Sequence, residues 1–212
     1  MRNLKLIILM LVFTLVSKNM LSQAFDLTPM YGWQMNGDVK LYEGEMQMDG
    51  AQMFGGTLDI MVAEGMGLRL QYSYCKAPSE WVPYYGYEIA YPRESFDVIN
   101  DYYQIGAIKG FSTGKAEPYG LFTMGAARFK GINNDDIDSD SRWKFALTAG
   151  LGCKVFFNER IGLKLEGAFM MPIYFAGVGF YFGTGGSGAS VNGAVPLLQG
   201  NFNGGLVIRI SK

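Results

Sequence analysis

Residues 142–175, RWKFALTAGLGCKVFFNERIGLKLEGAFMMPIYF, constrain what this chain can fold into more than any other stretch. Side chains of a strand point alternately to opposite faces. In the first arm Trp143, Phe145, Leu147, Ala149, Leu151, Cys153, Val155 and Phe157 share one face, and Arg142, Lys144, Thr148, Gly150, Gly152 and Lys154 the other. The second arm repeats the division, with Leu163, Leu165, Gly167, Phe169, Met171, Ile173 and Phe175 against Lys164, Glu166, Ala168 and Tyr174. The NERIG between them reads as a turn. Each arm is longer than an ordinary globular strand of about 5–6 residues. Each also reaches the roughly 9–11 residues that a tilted strand needs to cross a bilayer. Apolar on one face, polar or small on the other, and membrane-length: this is the hairpin of a transmembrane β-barrel.

The first segment stands apart from that pattern. Arg2 and Lys5 form a basic start, Leu6 to Val16 an apolar run of about eleven residues, and Ser22-Gln23-Ala24 a small-x-small cleavage site. That reads as a signal peptide over residues 1–24, with cleavage after Gln23 as the alternative; it is too short to span as a helix. Its removal takes away Arg2, Lys5 and Lys18 and no acid, leaving residues 25–212, the barrel, with a charge of about −4. A mildly acidic chain without a basic stripe argues against nucleic acid as a partner. No later stretch is a continuous apolar run long enough for a membrane helix, so export and alternation together indicate a Gram-negative outer membrane. High glycine and aromatic content suits strands that pack at a curved wall and meet lipid interfaces. By parity Cys75 faces inward and Cys153 outward, so both read as free fillers rather than a disulfide.

Taken in order, strand 1 covers about Thr28 to Asn36, with Tyr31, Trp33 and Met35 on one face. The polar stretch 37–49 can extend a hairpin above the membrane. Strand 2, about Gln52 to Val62, carries Phe54, Leu58, Ile60 and Val62 outward and Thr57 and Asp59 inward. After the tight turn Ala63-Glu64-Gly65, strand 3 (Met66 to Cys75) opposes Leu68, Leu70 and Tyr72 to Arg69, Gln71 and Ser73. Residues 76–100, with Pro78, Pro83 and Pro92, read as a long loop. Strand 4, about Tyr102 to Ser112, has mixed parity because Ile105 and Ile108 disagree. Strand 5, Tyr119 to Lys130, sets Tyr119, Leu121, Ala127 and Phe129 opposite Gly120, Met124 and Arg128. The acidic loop 131–141 precedes the 142–175 hairpin, and GTGGSGAS marks 177–199 as a fourth, flexible loop. Strand 8 closes with Leu206, Ile208 and Ile210 outward against Val207 and Arg209. The fold class is therefore all-β: an eight-stranded antiparallel up-and-down transmembrane barrel, with short periplasmic turns and long external loops.

Segments such as PYGLFTMGAARFK, WKFALTAGLGCKVFF and GGLVIRI resemble the small outer-membrane barrels of the OmpX, OmpA and OmpW type. The resemblance covers Phe25 to Lys212 and rests on strand pattern rather than on a short motif. It implies outer-membrane lipids and the barrel assembly machinery as partners. Such barrels commonly end in an aromatic residue that this machinery reads, whereas this sequence ends Ile210-Ser211-Lys212. Their roles include adhesion, wall anchoring, passage of small apolar solutes and catalysis.

Catalysis is not expected, because the sequence contains no histidine, the usual general base near neutral pH. No residue set implies a cofactor or a metal. Asp135, Asp136, Asp138 and Asp140 lack the turn glycine and closing glutamate of a Ca²⁺ loop, and GTGGSG lacks the lysine and helix of a phosphate loop. The inward charges Asp59, Arg69, Lys154, Lys164, Glu166 and Arg209 all fall near the periplasmic turns. An eight-stranded barrel has room only for its own side chains, so these charges are expected to pair as a structural plug. Residue numbers summing to 128 should oppose Asp59 to Arg69 and Ile60 to Leu68. A sum of 320 around NERIG should oppose Lys154 to Glu166 and Phe157 to Leu163, which keeps Lys154 from facing Lys164.

The leading reading is a non-enzymatic structural or surface-interaction barrel, its loops 76–100 and 177–199 meeting an extracellular ligand through aromatics such as Trp81, Tyr84 and Tyr85. A narrow OmpW-like channel for small apolar solutes is the alternative. A soluble barrel would need polar outward faces, the reverse of strands 3, 7 and 8.

Overall fold

Outward apolar and inward polar side chains, alternating on strand after strand, can be satisfied together only by a sheet closed on itself in lipid. The computed structural model describes residues 24–40, 42–112, 114–132, 141–183, 186–194 and 197–210, and over 174–194 it describes the backbone. In chain order the strands are β1 (Phe25–Met35), β2 (Val39–Lys40), β3 (Gly44–Met48), β4 (Ala51–Ala63), β5 (Met66–Pro83), β6 (Glu94–Gly110), β7 (Ala116–Ile132), β8 (Arg142–Phe156), β9 (Ile161–Gly183), β10 (Gly186–Ala194) and β11 (Gln199–Arg209). Eight of them close an antiparallel barrel in the order β1-β4-β5-β6-β7-β8-β9-β11, with β11 returning to β1. The turns at Glu64–Gly65, 111–115 and 157–160 lie at one end and the long connections at the other. Gly65, with φ of 66°, supplies the left-handed residue that so short a turn requires. The expected signal peptide, apart from Ala24, lies outside the described residues, as does most of loop 131–141.

The wall is inside out relative to a soluble protein. Leu68, Leu70, Tyr72, Leu165 and Phe169 are exposed, while Asp26, Asp59 and Arg69 are fully buried. On β5 the ten residues from Met66 to Cys75 rise roughly 25 Å at a tilt of about 40°, the height of a lipid-facing band. Aromatic rings gird its outer edge. Tyr31 meets Phe54 at 5.7 Å and Phe54 meets Tyr74 at 6.1 Å, while Tyr103 sits between Tyr72 (5.0 Å) and Trp143 (5.9 Å). Rings with polar tips belong at that interface. This is the architecture of an outer-membrane barrel, and it has the eight strands expected.

Several expectations need correction. Residues 76–100 are not a long loop: β5 runs on to Pro83 and β6 starts at Glu94, so only 84–93 connect them. Pro78 is tolerated because it falls between two ladders on the same side of β5, the last β4 rung at Cys75 and the first β3 rung at Ser79. Its carbonyl still accepts from Asp49 N at 2.9 Å. Likewise, much of 177–199 is strand, β9 pairing with β10 from Gly183 back to Tyr174. On β7 the face holding Tyr119, Leu121, Ala127 and Phe129 is lumenal, and Phe122 and Met124 meet lipid. The register around Glu64 is the expected one, with Asp59 opposite Arg69 and Ile60 opposite Leu68. The register around NERIG is not: Lys154 faces Lys164 and Val155 faces Leu163, a sum of 318.

Leu70, paired with Leu58 on one side and Ile105 on the other, sits in the middle of the lipid band. Leu70→Arg should therefore cost roughly 2–4 kcal/mol of folding stability in lipid vesicles. Reversible urea titration reads this directly, and an unchanged midpoint would contradict the lipid-facing assignment.

Candidate functional site

Inward parity brings charged side chains from seven strands into the turn-end half of the lumen. They form one chain of alternating sign. Glu117 contacts Arg209 at 3.1 Å, Arg209 contacts Asp26 at 2.7 Å, and Asp26 contacts Lys154 at 2.7 Å. Lys154 continues to Asp59 at 2.8 Å, and Asp59 to Arg69 at 2.6 Å. Arg69 then pairs with Glu166, and Glu166 approaches Lys164 at 3.5 Å. Four acids and four bases cancel. Arg69 on β5 and Glu166 on β9 stand on opposite walls of the eight-strand ring, so their pair spans the lumen. Tyr119 lies between, donating to Glu166 Oε2 at 2.7 Å, with the Arg69 guanidinium 5.1 Å from its ring centre. Gly152 makes room for it, since a Cβ there would come within 2.5 Å of the Tyr119 hydroxyl oxygen.

The chain explains the register around NERIG. Lys154 and Lys164 oppose each other on neighbouring strands, and so do Asp26 and Asp59. Each opposition is relieved from elsewhere, Lys154 by lying between the two aspartates and Lys164 by Glu166. A cross-strand charge pair contributes only about 0.2–1 kcal/mol, whereas a buried charge without a partner costs several. The three-dimensional chain therefore outweighs the preference of one strand pair.

All six expected plug residues, Asp59, Arg69, Lys154, Lys164, Glu166 and Arg209, lie in this chain. Sequence reading misses Asp26, Glu117 and Tyr119. Asp26 is available from parity, since it shares a face with Thr28, but β1 begins at Phe25 rather than Thr28. Glu117 falls before the expected start of strand 5 at Tyr119, and it belongs to β7.

Above the ions comes a neutral row, Thr28, Thr57, Gln71 and Gln104, directly opposed on successive strands. Higher still, Asn36 gathers an amide bridge. Its Oδ1 accepts from Gln34 Nε2 (2.8 Å), Gln199 Nε2 (2.7 Å) and Asn100 Nδ2 (3.4 Å). Its Nδ2 donates to Asp49 O at 2.8 Å, and Tyr102 donates its hydroxyl to Gln199 Oε1. This bridge ties β6 to β1 and β11 across the lumen. At the outer mouth the lining turns apolar. Val39, Met48, Val98 and Leu197 form a buried cluster with Met46, Phe96 and Phe129 against it. They wall a pocket of about 350 Å³ whose rim includes Arg142 and Lys144. Phe129 stands edge-on to Tyr102, 6.3 Å between centres, so the pocket rests on the amide bridge.

Outside the barrel, beyond the aromatic girdle, Lys76 pairs with Asp97 at 2.8 Å and Arg93 with Glu80 at 2.5 Å. The hydrogen bonds from Arg93 hold the Glu80 carboxyl below its ordinary range. Cys75 and Cys153 are free. Among the described residues no group of His, Cys, Asp and Glu is arranged to hold a metal ion.

The chain's most exacting member is Arg69, fully buried between two carboxylates. Arg69→Met should cost about 3–5 kcal/mol, because it strands charge inside the barrel. Lys76→Met, at the exposed pair, should change little. Urea unfolding in lipid vesicles compares the two, and equal midpoints would remove the chain's energetic role.

No protein-family model matches this sequence, and no curated protein matches it. Solved structures do. The outer membrane protein OprG from Pseudomonas aeruginosa aligns over 90% of this chain and 97% of its own, at 12% identity and a TM-score of 0.60. Neisserial surface protein A aligns over 88% and 97%, at 13% identity and a TM-score of 0.54. A major outer membrane protein from Thermus thermophilus aligns over 88% and 99%, at 10% identity and a TM-score of 0.50. Fold is what these share: the chain is built as a small, closed, eight-stranded outer-membrane β-barrel.

Proposed function

We propose that this protein, after removal of residues 1–24 as a signal peptide, is a non-enzymatic outer-membrane barrel whose working surface is external. The observation that carries the reading is the blocked lumen. Arg69 meets Glu166 across it, and the Asn36, Gln199 and Tyr102 bridge crosses it again nearer the mouth. On this reading Asp59, Arg69, Lys154, Lys164, Glu166 and Arg209 act as a structural plug. The barrel then anchors its projecting hairpins in lipid after insertion by the barrel assembly machinery. An extracellular ligand is met by the outer ends of 76–100 and 177–199, where Tyr84, Tyr85, Ile89 and Tyr91 are exposed. Such rings supply contact area that a partner can bury. The absence of histidine supports a non-catalytic role.

A second reading, a narrow channel for small apolar solutes, draws on the apolar pocket at the mouth. The bridge beneath it opposes passage.

Refolded protein in planar bilayers decides between them. The plugged barrel should give no steady conductance and no release of small apolar solutes into vesicles. Steady solute entry would replace the first reading with the second. In a background lacking both cysteines, Tyr85→Cys on intact cells should react with a membrane-impermeant maleimide and Glu64→Cys should not. The reverse pattern would put the loops on the periplasmic side.

A further inference from the structure

The middle of the lumen holds more hydrogen-bonding groups than its side chains satisfy. Among the described residues, Thr28 Oγ1, Gln71 Nε2 and Oε1, Ser73 Oγ, Gln104 Nε2 and Asn203 Oδ1 are buried and meet no partner. Each belongs to a residue at most 5% exposed. They gather between the ion chain and the amide bridge. Thr28, Thr57, Gln71 and Gln104 are opposed in series on β1, β4, β5 and β6, and Ser73 follows Gln71 on the same face. Asn203 holds Glu166 Oε1 through Nδ2 at 3.4 Å, and its own oxygen bonds to nothing described. Turning the Gln104 amide over would not help, because its Oε1 already accepts from Thr148 (2.9 Å) and Thr123 (3.2 Å). The buried Lys164 ends here too. Its ammonium lies 3.4 Å from Thr57 Oγ1, 3.5 Å from Glu166 Oε2 and 3.8 Å from Met30 Sδ. All three are longer than the roughly 2.7–2.9 Å of a charged hydrogen bond. Space at this level is built in. Directly opposed residues share a face, so Gly55 beside Ser73, Gly106 beside Arg69 and Gly125 beside Gln104 leave inward positions bare. A larger residue is not accommodated there, since a Cβ at any of the three would come within 2.1 Å of a carbonyl oxygen on the neighbouring strand.

We propose that this section of the lumen binds a sealed cluster of ordered water, bonded to Thr28, Gln71, Ser73, Gln104 and Asn203. A buried polar atom left unbonded weakens folding by roughly five- to a hundredfold. Six of them are too many for a marginally stable fold to leave unpaired. Water is the ligand that fits their chemistry. The set mixes donors (the Gln71 and Gln104 amide nitrogens), acceptors (the Gln71 and Asn203 oxygens) and hydroxyls that do either. An ion would suit only one kind, and the ion chain beneath already sums to zero charge. A buried water makes about three bonds to groups of this sort. The ion chain closes the site below and the amide bridge closes it above, so the water belongs to the folded barrel rather than to a passage. That sealing rests on the plugged lumen proposed above, which conductance tests separately.

The test uses the full barrel, 15N-labelled and otherwise deuterated, in nanodiscs of deuterated zwitterionic lipid. Peaks lost in Gln71→Met and Gln104→Met identify the two side-chain amides. Both should show magnetisation transfer from water, with the sign that marks long-lived rather than surface water. Stability gives a second readout. Gln71→Met keeps the side chain's length and removes both of its unpaired atoms. With water bonded to them, the change should lower the folding constant in urea about tenfold, the scale of one or two neutral hydrogen bonds. In a dry row it should raise that constant instead. Heat-modifiable migration on gels checks folding, and Ser73→Ala serves in the same comparison if Gln71→Met does not fold. Amides without water contact, or a Gln71→Met barrel more stable than the parent, would overturn the proposal. A parent midpoint raised by chloride over gluconate at equal ionic strength, and not raised in Gln71→Met, would put an anion there instead. Water contact together with steady ion conductance would mean an open pore and would overturn the sealed site.

Discussion

Everything inside this barrel depends on charge balance across a space one side chain wide. Eight strands leave an interior that side chains from opposite walls can span. The Arg69–Glu166 pair does so. In such a lumen no charge can be left to water, and none can be chosen for its own strand alone. The chain from Glu117 to Lys164 meets that condition by strict alternation of sign. Asp26 and Asp59, which would repel as neighbours, become the two ligands of one ammonium group, that of Lys154. Because every interior member bridges two others, the chain couples seven strands into one electrostatic unit. Stability and register are then properties of the closed barrel rather than of any hairpin in it.

The same geometry grades the lumen from end to end. Ions dominate the turn end beside Ile108 and Leu121, hydroxyls and amides share the middle with Met30, Met53 and Met170, and apolar side chains fill the outer mouth. The barrel wall is not graded in this way; its outer face is apolar through the lipid band and turns charged at the aromatic girdle, where Arg128 pairs with Asp101 beside Tyr72 and Trp143, and beyond it. Inside and outside therefore change character in opposite senses along the axis. Where the exterior becomes ionic, at Lys76, Asp97, Glu80 and Arg93, the interior becomes apolar. Strands that continue past the membrane keep one face wet and one face dry, as any two-layered sheet does, but with the faces exchanged.

That exchange is why the sequence is legible in the membrane and misleading above it. Between the turns and the girdle apolar residues face outward on most strands, and parity assigns Leu68, Leu70, Phe169 and Ile208 to lipid and Arg69, Glu166 and Arg209 to the lumen; β7 is the exception, with Tyr119 and Leu121 turned inward. Beyond the girdle the rule reverses. Met46, Met48, Phe96 and Val98 alternate with polar residues just as strand residues do. In stretches dominated by acids, glycines and prolines, they pass for loop. Pro78 strengthens that reading, because a proline ordinarily argues against a central strand. Nothing local reveals that β4 stops and β3 starts opposite it. Register fails for a related reason. The Lys154–Lys164 opposition looks unfavourable in the hairpin and is resolved by residues at positions 26, 59 and 166, which only closure brings near.

The amide bridge separates these two regimes. Asn36 takes three donors on one oxygen and donates its own amide to the Asp49 carbonyl, so it fixes the point where β1 leaves the wall and the β2–β3 hairpin departs. A buried amide without a partner costs about 1–3 kcal/mol, and the hub supplies one acceptor to Gln34, Gln199 and Asn100 at once. The bridge closes the polar half of the barrel from above, as the ion chain closes it from below. Among the described residues, what remains open to the outside is the apolar pocket on top. The outward-facing chemistry of the protein is thus concentrated in that pocket and in the hairpins that rise around it.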